Sequence, residues 1–139
     1  MDASVVWKKG LSFTGRAATS GFSLPLGADP KVGGANDGFR PSELILVGLA
    51  GCTGMDVISI LEKKKQQVTA FEVKAHGERA PADPMRFTSF LVEYVVTGKG
   101  IDPAAVERAV ELSETKYCTV MATLRPACPI ERKITIREG

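Results

Sequence analysis

The residues with the widest chemical repertoire in this chain are its three cysteines, Cys52, Cys118 and Cys128, and its one histidine, His76. A thiolate is a nucleophile and a metal ligand, and a pair of thiols can store two electrons as a disulfide. An odd number excludes a fully paired disulfide framework, and a chain of 139 residues has no need of one. No two cysteines stand in a CxxC spacing. Three scattered Cys and one His on a predicted strand do not supply the four ligands at recognisable spacing that a structural zinc site requires. With His76 as the only imidazole, and without a GxSxG, acyl-transfer triads have no support. No G-x-G-x-x-G or P-loop is present, so the expectation is a protein without a metal or an organic cofactor. Two readings stay open for each cysteine taken alone: a small buried packing residue, as free Cys often is, or a redox thiol.

The local settings of the thiols differ. Cys52 lies in GLAGCTGMD, inside a nearly continuous apolar run from Leu44 to Leu61 that is broken only by Thr53, Asp56 and Ser59. Glycine in a helix interior costs about 0.5–1 kcal/mol relative to Ala. Gly48, Gly51 and Gly54 nevertheless recur at every third position, which predicts a helix face packed closely against another backbone or another helix. Cys118 falls in TKYCTV at the end of a second predicted helix. Cys128, between Ala127 and Pro129, reads as a packing residue.

The elements that must carry these residues can be read from periodicity and punctuation. Residues 3–9, 11–18 and 22–26 read as three short strands with glycine-containing links, an antiparallel meander. Residues 27–40, GADPKVGGANDGFR, read as a mobile loop. Pro41 suits a first helical position and Glu43 the positive end of the helix dipole; this helix is predicted to run to about residue 65. It is expected to be buried on most sides. Residues 68–79 and 85–97 alternate as strands around a turn at 81–84. Asp102 and Pro103 then form an N-cap and N1 pair for a helix through IDPAAVERAVELSETKYC, with Val106, Ala109, Val110 and Leu112–Ser113 as its buried stripe. A short helical turn at 118–124 and a last strand at 130–137 complete the order βββ–α–ββ–α–β. Strands and helices grouped in this way indicate α+β with antiparallel sheets, and no linker interrupts residues 1–139, which read as a single domain.

Composition narrows the function classes. Hydrophobic residues make up 44% and charged residues 24%, the balance of a folded soluble protein. The formal charge of +2 is too small to argue for nucleic acid and no arginine-rich run supplements it, so no nucleic-acid partner is expected. The first ten residues, MDASVVWKKG, lack the apolar core of a signal peptide. The Leu44–Leu61 run is at the short limit for a bilayer, and an unpaired Asp56 is costly there. The expected setting is cytoplasmic, without a membrane partner.

The segments RPSELILVGLAGCTGMDVISIL and ETKYCTVMATL, in this order and with these surroundings, resemble the OsmC/Ohr hydroperoxide-reductase superfamily over essentially the whole chain. The resemblance implies antiparallel sheets wrapped around two long central helices in an intertwined homodimer. It implies a peroxidatic Cys52 and a resolving Cys118, 66 positions apart in sequence yet close enough in space for a disulfide, with Cα atoms within about 7 Å or a small shift of it. It also implies organic hydroperoxides as substrates and a dithiol reductant, notably a lipoylated protein. The family's strand Arg falls near Arg16. Its assisting Glu corresponds to Ser42, with Glu43 one residue along and turned about 100° around the helix. On this reading Arg16 supplies the cation that favours the Cys52 thiolate, Glu43 orients Arg16, and Met55, Phe39 and Met121 make the surroundings apolar. The Ser42 departure sustains an alternative: a non-enzymatic dimer of the same fold that binds a small apolar ligand at its interface.

Overall fold

The computed structural model describes residues 1–139. The chain forms two compact units, Met1–Ile45 and Leu46–Gly139.

In the first unit, β1 (Ala3–Lys9), β2 (Ser12–Ala17) and β3 (Ser23–Leu26) form an antiparallel sheet in sequence order. The register pairs Ser4 with Arg16 and Gly15 with Leu24. The turns fall at Gly10 and Gly21, whose φ of 51° and 78° place them in the left-handed region that glycine enters at little cost. The apolar side chains of this sheet have little cover within the unit. Val5, Leu11, Phe13, Leu26, Pro41 and Leu44 line a groove of about 530 Å³.

The segment 27–40, expected to be a mobile loop, is tied down instead. Leu26 and Phe39 bridge, Pro30–Val32 makes a 3-10 turn capped by Asp29, and the buried Ser12 hydroxyl donates to Asp37 Oδ2 at 2.7 Å. Gly34 is required here, because an added Cβ would collide with the Ala28 carbonyl.

Helix α1 (Pro41–Lys63) begins in the first unit and continues through the second. The second unit then adds β4 (Gln67–Arg79), β5 (Phe87–Lys99), α2 (Pro103–Leu112), α3 (Thr119–Leu124) and β6 (Ile130–Glu138). Asp102 caps α2, its carboxylate accepting from the Ala104 N–H; of the predicted stripe Val106, Ala109, Val110 and Ser113 are buried, Leu112 is only half-buried, and Ala105 joins them. The sheet order is β4-β5-β6. The β4–β5 ladder is antiparallel, as expected, but β6 pairs parallel to β5, with Tyr94 opposite Ile134. The reason is the connection: α2 and α3 carry the chain back to the starting end of β5, and such a crossover places the next strand parallel.

Two features of the helices depart from expectation. The second helix does not run on to Cys118. It stops at Leu112 and widens into one π-turn, Ser113–Tyr117, ahead of α3. Nor is α1 buried on most sides by its own chain, since only Leu49, Thr53, Val57 and Leu61 along it are fully covered. These four recur at every fourth position and mark a single stripe, packed into the core with Val92, Tyr94, Val96, Val106 and Val110.

Candidate functional site

Within the Leu46–Gly139 unit, α1 and the π-turn bring two thiols together. Cys52 lies between the buried Leu49 and Thr53 and is itself half-buried, packed on the core. Cys118 is 3% exposed and caps α3, with its Sγ accepting from the Met121 N–H at 3.4 Å. Cys52 packs against the core cluster that holds Cys118, and it is near enough to act on the Cys118 thiol. Burial pushes the Cys118 thiol up to about 11, and the neighbouring Cys52 adds to the rise. The amides of Met121 and Val120 act the other way, but desolvation prevails. Cys118 is therefore protonated at neutral pH. All three cysteines are reduced, and Cys128 is buried in the core with no polar partner of note.

A buried set of hydroxyls adjoins the pair through Thr53, next to Cys52, and Ser113, whose carbonyl accepts from the Cys118 N–H. Thr53 Oγ1 is 2.8 Å from Tyr94 OH and 2.8 Å from Ser113 Oγ, and Ser113 Oγ donates to Asp56 Oδ2 at 2.9 Å. Burial holds the Tyr94 phenol at about 12, so it stays a donor. On the outer side of the π-turn, Arg132 joins Glu107 at 2.8 Å and Glu114 at 2.9 Å. Burial raises the Glu114 carboxyl, and Arg132 opposes the rise. None of Thr53, Tyr94, Ser113 or Asp56 stood out as a functional residue in the sequence. A signal was present: Thr53 and Asp56 are polar interruptions three positions apart in an otherwise apolar helix, and such residues need buried partners.

The expected assisting residues sit differently. Arg16 is exposed on β2, its backbone paired with Ser4 and Ser23. Glu43 is committed locally: its Oε1 accepts from the Arg40 N–H at 2.8 Å, while the Arg40 carbonyl accepts from the Glu43 N–H at 3.0 Å. This is the Glu half of a capping box, which satisfies a donor at the start of α1. Arg40 in turn reaches the Gly38 carbonyl at 3.2 Å and lies 3.9 Å from Asp29. Of the three residues expected to make the surroundings apolar, Met121 is fully buried in the core, whereas Met55 and Phe39 are exposed.

The predicted tight packing at the glycines is found at one of three. An added Cβ on Gly54 would meet Val73 at 3.3 Å, but at Gly48 and Gly51 it would meet nothing within 4 Å. The helix is open on that side. Val47, 54% exposed, and Met55, 74% exposed, border an apolar groove of about 500 Å³ that also includes Gly51, Ile58, Phe71 and Val73. By length and composition α1 is apolar enough to cross a membrane. Its buried stripe against the β4-β5-β6 sheet is that of the core helix of a folded unit.

Comparison with known proteins agrees with this architecture. Residues 34–133 match the family model for OsmC-like proteins. Protein YhfA of Escherichia coli is 38% identical over 130 residues, covering 94% of this chain and 93% of YhfA. A crystal structure of a hypothetical protein from Aquifex aeolicus superimposes with a TM-score of 0.86 at 26% identity, covering 99% of this chain and 96% of the other. An organic hydroperoxide resistance protein from Legionella pneumophila shares the fold, with a TM-score of 0.68 at 15% identity, covering 98% and 95%. The family match over most of the chain and the YhfA identity carry the assignment: this chain belongs to the OsmC-like protein family.

Proposed function

We propose that this protein reduces organic hydroperoxides with Cys52 as the attacking thiol and Cys118 as the resolving one. The observation that carries the reading is a half-buried Cys52 packed on the core that holds a buried Cys118, near enough for Cys52 to raise the Cys118 thiol. Attack needs a thiolate that a peroxide can reach, while resolution comes afterwards, and Cys118 gives up its proton as its sulfur attacks. In the first step the Cys52 thiolate attacks a peroxide oxygen, the O–O bond breaks, and the alkoxide leaves as an alcohol after taking a proton. Cys52 is then a sulfenic acid. The Cys118 sulfur attacks it, an S–S bond forms, and the hydroxyl departs with the Cys118 proton as water. An external dithiol returns the disulfide to two thiols by exchange.

Arg16 is assigned the cation that favours the Cys52 thiolate, and Glu43 an electrostatic part beside its capping role; both rest on the family resemblance. The working form is assigned as a homodimer. The open side of Gly48 and Gly51 and the exposure of Val47 and Met55 support a second copy covering α1. The organic hydroperoxide resistance protein of Legionella pneumophila supports the substrate class by its name.

The test is consumption of cumene hydroperoxide with dihydrolipoamide as reductant, against Cys52→Ser. Turnover by wild type and none by the variant is expected; equal rates from both would overturn the reading. One second reading has an observation of its own. The apolar groove along α1 suits a non-enzymatic dimer that holds a small apolar ligand. That reading predicts an intact mass unchanged by excess hydroperoxide.

A further inference from the structure

The hydroxyl chain beside the thiols has a forced direction. Asp56, when ionised, only accepts, so the one proton of Ser113 goes to it at 2.9 Å. Thr53 must then donate to Ser113, and Tyr94 to Thr53, each across 2.8 Å. Thr53, Tyr94 and Ser113 are all 0% exposed, and no buried side-chain polar atom is left without a partner. Such a chain is polarised along its length, and each bond fixes the next.

Both ends of the thiol pair are attached to it. Thr53 follows Cys52 on α1. Ser113 opens the π-turn, and its carbonyl accepts from the Cys118 N–H at 2.9 Å, the i to i+5 bond that closes that turn. The wider turn carries Cys118 around over Ser113, so whatever fixes Ser113 fixes Cys118. We propose that the chain Tyr94–Thr53–Ser113–Asp56 holds the Cys52 helix in register with the Cys118 turn, making Thr53, Ser113 and Tyr94 positioning residues for disulfide formation. The proposal rests on the redox-pair reading. Closing the disulfide requires the Cys118 sulfur to approach the Cys52 sulfur in line with the S–O bond that breaks. Removing one hydroxyl leaves its buried partner unpaired and frees the π-turn to relax towards ordinary α-helical spacing, which turns Cys118 away.

The experiment separates the two chemical steps in the full-length protein. Thr53→Val, Ser113→Ala and the rescue variant Thr53→Ser are compared with wild type after thermal melts confirm folding. One equivalent of cumene hydroperoxide gives the rate of peroxide loss and, from the second thiol, the rate of disulfide closure. Equilibration with glutathione and its disulfide gives the stability of the Cys52–Cys118 bond without any peroxide. Thr53→Val and Ser113→Ala are expected to lose peroxide at the wild-type rate. They are expected to close the disulfide about tenfold more slowly and to weaken it about tenfold, which is about 30 mV. Thr53→Ser is expected to restore both. Should Thr53→Val fail to fold, Tyr94→Phe, which keeps the ring and removes one hydroxyl, is read in its place. Closure rates and glutathione equilibria indistinguishable from wild type in folded variants would overturn the positioning role. A wild type that ignores hydroperoxide but forms the disulfide with glutathione, more weakly in the variants, would refute the peroxidase reading and support the positioning one. A wild type that forms no Cys52–Cys118 disulfide would refute both.

Discussion

Stability at alkaline pH reports directly on the burial of Cys118. The group's folded value is raised from 9.0 to about 11, so the unfolded chain gives up this proton first. Its contribution is fully present below about pH 9 and is lost as the pH rises towards 11, because between the two the folded state binds more protons. With each unit worth about 1.4 kcal/mol, the loss is about 2 kcal/mol near pH 10.5. Tyr94, raised from 10.0 to about 12, adds a second loss that begins later. Cys118→Ser removes the first titration and keeps the second. Urea unfolding at about pH 7.5 and about pH 10.5, under reduction and at one protomer concentration, is the assay. Wild type is expected to lose about 2 kcal/mol more than Cys118→Ser across that interval. Equal losses in the two proteins would refute the claim that this thiol is buried and protonated in the folded state.

Three further outcomes are expected. Dimedone trapping after hydroperoxide treatment should mark Cys52 in Cys118→Ser, which reacts once and then stalls or over-oxidises; Cys52→Ser should not react, and Cys128→Ser should behave as wild type. Trapping on Cys118 in place of Cys52 would reverse the assignment. Val47→Asp and Met55→Asp place charge on the open side of α1. Light scattering should show the wild type at twice its 14.8 kDa chain mass and these variants shifted towards the monomer, and a monomeric wild type would remove the dimer. Glu43→Ala should cost about 0.5–1 kcal/mol by melting, through loss of the Arg40 cap. Glu43→Gln keeps that hydrogen bond, so a fall in peroxide rate in this variant would report the carboxylate's charge and not the loss of the cap.

The start of each long helix was written locally. Pro41 with Glu43, and Asp102 with Pro103, act within one turn of their own backbone, so their meaning does not depend on the rest of the chain. The alternation in β4 and β5 was legible for a similar reason, since one buried face imposes a period of two. The cysteine motifs carried the family resemblance only as an ordered pair; each thiol alone was more often a packing residue, which is how Cys128 sits in the core.

Tertiary structure decided the rest. The parallel pairing of β6 depends on where the α2–α3 crossover returns the chain, which no strand pattern records. The π-turn replaces the continuous helix that the spacing of 103–118 favoured, and Ser113 at its start bonds Thr53, 60 positions away. The glycines of α1 signalled close packing, but Gly48 and Gly51 have no neighbour in their own chain to supply it. Thr53, Asp56, Tyr94 and Ser113 come from three separate elements. In sequence only Thr53 and Asp56 carry a signal, as polar interruptions of an apolar helix. Together the four residues form one hydrogen-bonded chain because a buried hydroxyl must find a partner wherever the fold provides one.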